Sequence, residues 1–236
     1  MTFSRVYAAQ PALLKGHIIA IEVDISNGLH AFNIVGLPDK AVEEAKDRVS
    51  SAIKNSGLKS PKSKNQKIVV SLSPAELKKE GPYFDIGIAL AYLLSSGDIL
   101  FDPEKKLFLG ELALNGDIRP VRGVLPLAQE AKRMGFEEIY VPKENAKEAA
   151  LVPGISVYAV GTLIDLINHL DIQGPSASSG QVREKILLEI IPKTEIVFSA
   201  KTPPIDFRDI RGQESAKRGL EIAAAGGHNI AMYGPP

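Results

Sequence analysis

Residues 84–94 read FDIGIALAYLL. A helix written this way is apolar nearly all round, so it has no face to give to water and must be covered on every side. The run therefore predicts a buried central helix. Asp85 falls in its first turn, where a carboxylate suits the helix dipole.

The strands to surround that helix are legible from alternation. Phe3 to Ala9 reads as a first strand. Ile18 to Ile25 follows, with Ile19, Ile21, Val23 and Ile25 on one face and Glu22 and Asp24 on the other. Asn27-Gly28 tolerates positive φ and marks a hairpin, which would return Leu29 to Val35 as the partner strand. Gly36-Leu37-Pro38-Asp39 then breaks the sheet and opens a helix. Its face Ala41, Val42, Ala45, Val49, Ala52 and Ile53 runs through Asn55, with Gly57 as the stop. Ile68 to Leu72 is another apolar strand. Ser73-Pro74-Ala75-Glu76 fits a capping box with Pro at the first helical position, which predicts one short helical turn ending near Lys79.

Further along, Lys106 to Leu114 and Asp117 to Val121 form a second hairpin around Asn115-Gly116. Pro120 places the returning strand at an edge or ends it there. Gly123 to Met134 is a helix facing inward through Val124, Leu127, Ala128 and Ala131. A strand at Glu138 to Val141, a short helix at Asn145 to Leu151, a strand at Val157 to Val160 and a capped helix at Thr162 to Leu170 complete an α/β (α+β) domain over residues 1–170. DIQGPSASSGQ (171–181) is Gly/Pro/Ser-rich and starts a linker that extends to 204. Ile186 to Ile191 reads as an isolated strand or as a segment that docks elsewhere. A last helix spans Gln213 to Ala225, ended by Gly226-Gly227, and Asn229 to Tyr233 reads as a buried strand.

Composition narrows the chemistry. Lys+Arg and Asp+Glu both total 28, so the net charge is zero and any nucleic-acid contact must be a local patch. Lys59-Ser-Pro-Lys62-Ser-Lys64-Asn-Gln-Lys67 is the one local concentration of cations, four lysines in nine residues. It reads either as a solvated connection or as a phosphate-contacting patch. The absence of cysteine excludes disulfides and thiolate metal sites. His17, His30, His169 and His228 are scattered without metal-ligand spacing, so no metal site is expected. Met1-Thr-Phe-Ser-Arg-Val-Tyr is not a signal peptide and no apolar run approaches membrane-spanning length, so the expected location is the cytoplasm, without membrane contact.

The runs NIVGLPDKAVEEAKDRVSSAIKNSG (33–57), VSLSPAELKKEGPYFDIGIAL (70–90) and LGELALNGDIRPVRGVLPLA (109–128) resemble the N-terminal domain of the magnesium-chelatase-like AAA+ ATPases of the YifB/ComM family. DIRGQESAKRGLEIAAAGGHNIAMYGPP (209–236) is similar to the start of that family's ATPase module. The resemblance implies a ribosomal protein S5 domain 2-like, Lon-protease-like fold for residues 1–170, and the front of a P-loop AAA+ module at 205–236. It also implies a parent that is a hexameric, ATP- and Mg-dependent motor linked to DNA remodelling in natural transformation or recombination. A magnesium-chelatase-like remodelling subunit and a purely structural or assembly domain are the other readings.

A Lon-type peptidase would need a serine in a G-P-S-A-G stretch and a later lysine in G-G-L-K. The matching stretches here are Gly81-Pro82-Tyr83-Phe84-Asp85 and Arg122-Gly123-Val124-Leu125, with Tyr83 and Leu125 at the two reactive positions. A phenol with no base beside it and a leucine make no dyad. Ser73 with Lys78 or Lys79 is the remaining substitute. No catalytic residue is therefore expected in this domain.

A P-loop runs strand, G-x-x-x-x-G-K-[ST], helix. Gly234, Pro235 and Pro236 match its first three positions, which reads as a chain cut inside the nucleotide loop. Ile210, Gly212 and Gln213 match the segment beside the adenine. Without the P-loop lysine and hydroxyl these residues are expected neither to bind ATP tightly nor to hydrolyse it.

Overall fold

The computed structural model describes residues 3–12, 15–172, 187–195 and 206–234. The chain divides into two compact units, residues 1–195 and 196–236.

The first unit is built on a seven-stranded sheet. β1 (Phe3–Ala12) and β2 (Lys15–Asn27) form a long antiparallel pair, from Phe3 opposite Asp24 to Ala12 opposite Lys15. β3 (Ala31–Val35), α1 (Lys40–Asn55) and β4 (Gln66–Ser73) follow, then α2 (Asp85–Ser96) and β5 (Lys106–Phe108). β6 (Glu111–Leu112) and β7 (Ile118–Arg119) form a separate small hairpin. α3 (Val124–Arg133), β8 (Glu138–Pro142), α4 (Ala146–Ala149), β9 (Ser156–Val160) and α5 (Leu163–Leu170) complete the unit. The sheet order is β3-β4-β2-β1-β5-β8-β9. Four of its six pairings are parallel, so the fold is mixed α/β.

Alternation along the strands sorts side chains onto two faces. Ile19, Ile21, Val23, Phe108 and Tyr140 join one apolar cluster with α1, α2 and α5. Leu107, Leu109, Ile139 and Val141 join a second with α3 and α4. The α2 helix is the centre of the first cluster and is buried from Asp85 to Ser95, as its composition requires.

Four expectations are corrected. The strand after Asn27-Gly28 does not return beside β2: β3 pairs in parallel with β4, which itself pairs antiparallel with β2. A sixteen-residue helix separates β3 from β4, and such a crossover suits parallel strands. Leu29 and His30 lengthen the loop beyond a two-residue turn. Second, residues 74–79 form a turn rather than a helix, after a cis Ser73–Pro74 peptide. Lys79 N–H donates to Leu37 O (3.0 Å) and Lys79 O accepts from Asp39 N–H (2.9 Å), so this backbone pairs with the loop before α1. Gly36 makes that approach feasible: it has φ +107° and a Cβ there would lie 2.2 Å from Leu72 O. Third, the segment expected as one strand over 106–114 is split, with β5 in the main sheet and β6 outside it. Fourth, part of the stretch expected as linker is docked. Ile190 bridges Tyr158 antiparallel, Ile191 N–H donates to Val157 O (2.8 Å), and Thr194 N–H donates to Ala150 O (3.0 Å). Residues 173–186 and 196–205 of that stretch lie outside the described residues.

An ion pair in the main core fastens three elements. Arg48 of α1 donates through Nε to Asp85 Oδ2 (2.7 Å) and through Nη2 to Oδ1 (3.0 Å). Asp85 Oδ2 also accepts from Leu112 N–H of β6 (3.1 Å). Burial pushes the Asp85 carboxyl up, while Arg48 and the Leu112 N–H pull it back. Arg48 is pushed up as well, held charged by its hydrogen bonds to Asp85 while burial opposes the shift. The bidentate geometry identifies the pair as ionic.

Removing one partner strands the other. Asp85→Ala is expected to cost about 3–5 kcal/mol in urea unfolding, and Arg48→Met with Asp85→Leu together should recover most of that loss. A loss below about 1 kcal/mol for Asp85→Ala would show that the pair is not a fastening.

Candidate functional site

The lysine loop is tied to the first unit by packing and hydrogen bonds. Leu58 and Pro61 are buried, and a 3-10 turn spans Pro61–Ser63. Ser60 Oγ donates to Ser50 O (3.2 Å) and accepts from Lys62 N–H (3.4 Å). Gln66, buried at the start of β4, donates to Tyr92 Oη (2.8 Å) and to Pro61 O (3.3 Å). The cations themselves differ. Lys62 pairs with Asp47 (2.7 Å) in full solvent, and such a pair is weak. Lys64 lies 3.8 Å from Asp98, whose carboxylate also accepts from Ser96 Oγ (2.6 Å). Lys59 and Lys67 are exposed and make no ion pair among the described residues. Along the chain the loop thus presents two uncompensated cations at its ends, with two between them that a phosphate would take from their carboxylates.

The positions matched to a peptidase dyad carry no reactive arrangement. Leu125, in the first turn of α3, packs on the α3 side of the sheet, and Tyr83, just before α2, packs against both apolar clusters. The phenol of Tyr83 is pushed up by burial, and Arg122 opposes the shift. The substitutes are engaged elsewhere. Lys79 is fully buried, and its ammonium donates to the Pro74 carbonyl. Burial holds that ammonium below the usual lysine range, with Glu76 opposing. Lys78 pairs with Glu80 (2.8 Å). Both amines are thus committed to partners other than the Ser73 hydroxyl.

In the second unit α6 spans Glu214–Gly226 after a 3-10 turn at Phe207–Asp209. Gly212 (φ +69°) and Gln213 (φ +58°) turn the chain into α6, and Ile210 is exposed beside them. No hydrogen bond among the described residues links Gly234 to these three, and Pro235 and Pro236 lie outside the described residues. The buried strand expected at 229–233 is not formed. Met232 and Tyr233 are exposed, at 72% and 106%, because no other strand among the described residues of this unit offers a ladder. None of the six matched residues carries a cation or hydroxyl for phosphate or Mg²⁺, so no hydrolytic step follows from them. Among the described residues no acidic, histidine or cysteine group is arranged to hold a metal, and no helix is long and apolar enough to cross a membrane.

Some contributors carry no signal in the sequence. Arg48 and Asp85 are 37 positions apart. Gln10, buried in β1, braces the 78–80 loop by donating to Lys78 O (2.7 Å) and accepting from Glu80 N–H (3.0 Å). Arg122 shows in the sequence only as a charge, with nothing to tie it to Tyr83.

A family profile described as subunit ChlI of Mg-chelatase matches residues 21–145, and a second, described as magnesium chelatase, subunit ChlI, matches 206–236. The chain is 40% identical over its full length to the competence protein ComM of Haemophilus influenzae, of which it covers 44%. It is 40% identical over its full length to the uncharacterized protein YifB of Escherichia coli, covering 43% of that protein. The DNA repair protein RadA of Streptococcus pneumoniae is 34% identical over 98 residues, which cover 42% of this chain and 23% of RadA. The chain spans less than half the length of ComM and YifB. These matches define the class as proteins of the magnesium-chelatase subunit ChlI kind. The chain belongs to the family of the Mg-chelatase subunit ChlI, in the group that holds ComM and YifB.

The Tyr83 environment gives a pH test. A phenol raised above its unfolded value contributes stability below the unfolded pKa, and loses it as pH rises through the folded one. Arg122→Gln should move the Tyr83 component of the tyrosinate absorbance to higher pH, and Tyr83→Phe should abolish that component. No change on removing Arg122 would show that the two do not interact.

Proposed function

We propose that this chain is the front part of an ATP- and Mg-dependent AAA+ motor that acts on DNA during recombination or DNA uptake. In this reading residues 1–170 form a Lon-like, ribosomal protein S5 domain 2-like accessory domain without catalysis. Residues 171–204, part of which docks on that domain, lead to a nucleotide-binding module that begins at 205, with Ile210, Gly212, Gln213 and Gly234 to Pro236 on the nucleotide. The parent works as a cytoplasmic hexamer. The full-length match to a competence protein carries the proposal. The partial match to a DNA repair protein and the two uncompensated lysines, Lys59 and Lys67, support it.

One observation favours a second, assembly role for the first unit. β3 is an outer strand of the sheet, AFNIV carries no charge or proline, and Val35 is 46% exposed. Edges left so unguarded are templates for pairing with another chain.

Neutralising Lys59, Lys62, Lys64 and Lys67 to Gln should weaken DNA binding and reduce the slope of log K against log salt by about 0.7–0.9 for each phosphate that is no longer neutralised. Unchanged binding leaves the loop as a solvated connection. For the parent protein, DNA-stimulated release of phosphate from ATP is expected, and its absence would remove the motor assignment.

A further inference from the structure

Three strands end at one corner of the sheet. Asn27 at the end of β2 lies opposite Gln66 at the start of β4, and Lys67 stands between Ser26 and Ala31. Gly28 N–H donates to Asn65 O (3.4 Å), which ties the 28–30 loop to the lysine loop. Leu29 projects from this junction at 92% exposure, more than any other large apolar side chain described in the first unit. His30 is exposed beside it. A single exposed leucine is ordinary. A leucine held at the tip of a loop that is tied through Asn65 to the lysine-bearing loop, with Lys67 on the neighbouring strand, combines two chemistries that DNA-distorting proteins use together. Cations hold the phosphates, and an aliphatic wedge enters between bases.

We propose that Leu29 is the apolar wedge of the DNA interface, entering the base stack where the strands already part. The inference rests on reading the lysine loop as a DNA contact. Neither loop carries Phe, Tyr or Trp, so an aliphatic side chain is the large apolar group these loops offer to the bases. Unstacking costs least at a fork or junction, so the wedge selects DNA by shape and not by sequence. The carboxylates at this corner do not reverse its sign. Asp47 and Asp98 engage Lys62 and Lys64, and Asp24 lies further along β2, opposite Val69. One leucine offers too little apolar area to anchor the chain to a lipid surface, where stable attachment needs more than one signal.

The test uses the full 236-residue chain with fluorescent DNA of one sequence, as a blunt duplex and as a splayed fork, over a range of salt. Leu29→Ala should weaken fork binding about fivefold, consistent with removing one partly buried aliphatic side chain from the interface. The salt slope should stay unchanged, and the duplex should weaken by under about twofold. Lys59→Gln with Lys67→Gln should weaken both DNAs and flatten the slope. Because Leu29 is exposed, its variant should melt as the parent chain does. If the lysine variant loses affinity while Leu29→Ala binds the fork normally, the wedge is wrong and the lysine interface stands. If the lysine variant binds both DNAs unchanged, the interface itself fails. Sedimentation with phosphatidylserine vesicles that depends on Leu29, without a Leu29 effect on fork binding, would assign the corner to lipid and overturn the proposal.

Discussion

Everything in the first unit is arranged around the ion pair between Arg48 and Asp85. A carboxylate at 1% side-chain exposure, at the head of the most apolar helix in the chain, would be costly without a partner. The bidentate guanidinium and the Leu112 N–H satisfy it, and Arg48 Nη2 also donates to Ala41 O (3.0 Å). A second carboxylate plays the same part in the loop before α1. Asp39 caps α1 through Val42 N–H (2.8 Å) and accepts from Gly81 N–H (3.2 Å) in the loop that leads into α2. Both helices are thus fixed at their beginnings, and the loops 36–39 and 79–81 are held in one register. The consequence reaches the sheet, since the same loop pairing places β3 outside β4.

Local pattern carries most of this architecture, and its failures share one cause. Alternation places Ile19, Ile21 and Val23 on the core face of β2, and the period of α1 places Val42, Ala45, Val49 and Ile53 there as well. The nearly all-round apolar surface of α2 requires burial on all sides, which the sheet and α1 provide. Asn27-Gly28 misleads because a turn signal specifies a change of direction but not the neighbour the next strand will find. Ser73-Pro74-Ala75-Glu76 misleads for a related reason. The turn it opens ends at Lys79, whose backbone is taken by Leu37 and Asp39 from the far side of α1, and no local rule sees that competition.

The candidate site is legible in the sequence as a charge count and not as a geometry. Four lysines in nine residues are plain, yet only the fold shows that Asp47 and Asp98 offset two of them. Alternation assigns Leu29 to a strand, which hides its exposure; β3 begins only at Ala31 and leaves Leu29 in the loop. In the second unit the apolar run at 229–233 has the composition of a buried strand, but composition does not supply a neighbouring strand to pair with.

The zero net charge then decides what kind of DNA contact this corner can make. A chain with balanced charge has little long-range field to draw DNA in, and beyond about 8 Å at physiological salt that field is screened. Affinity must come from close contacts. Lys59 and Lys67 add theirs in full, whereas Lys62 and Lys64 exchange one anionic partner for another and gain less. If the proposed interface forms, two full phosphate contacts would give modest binding that salt weakens only gently. In the proposed interface so weak a grip would suit a guide better than an anchor, and it would gain most from an added apolar contact that responds to shape.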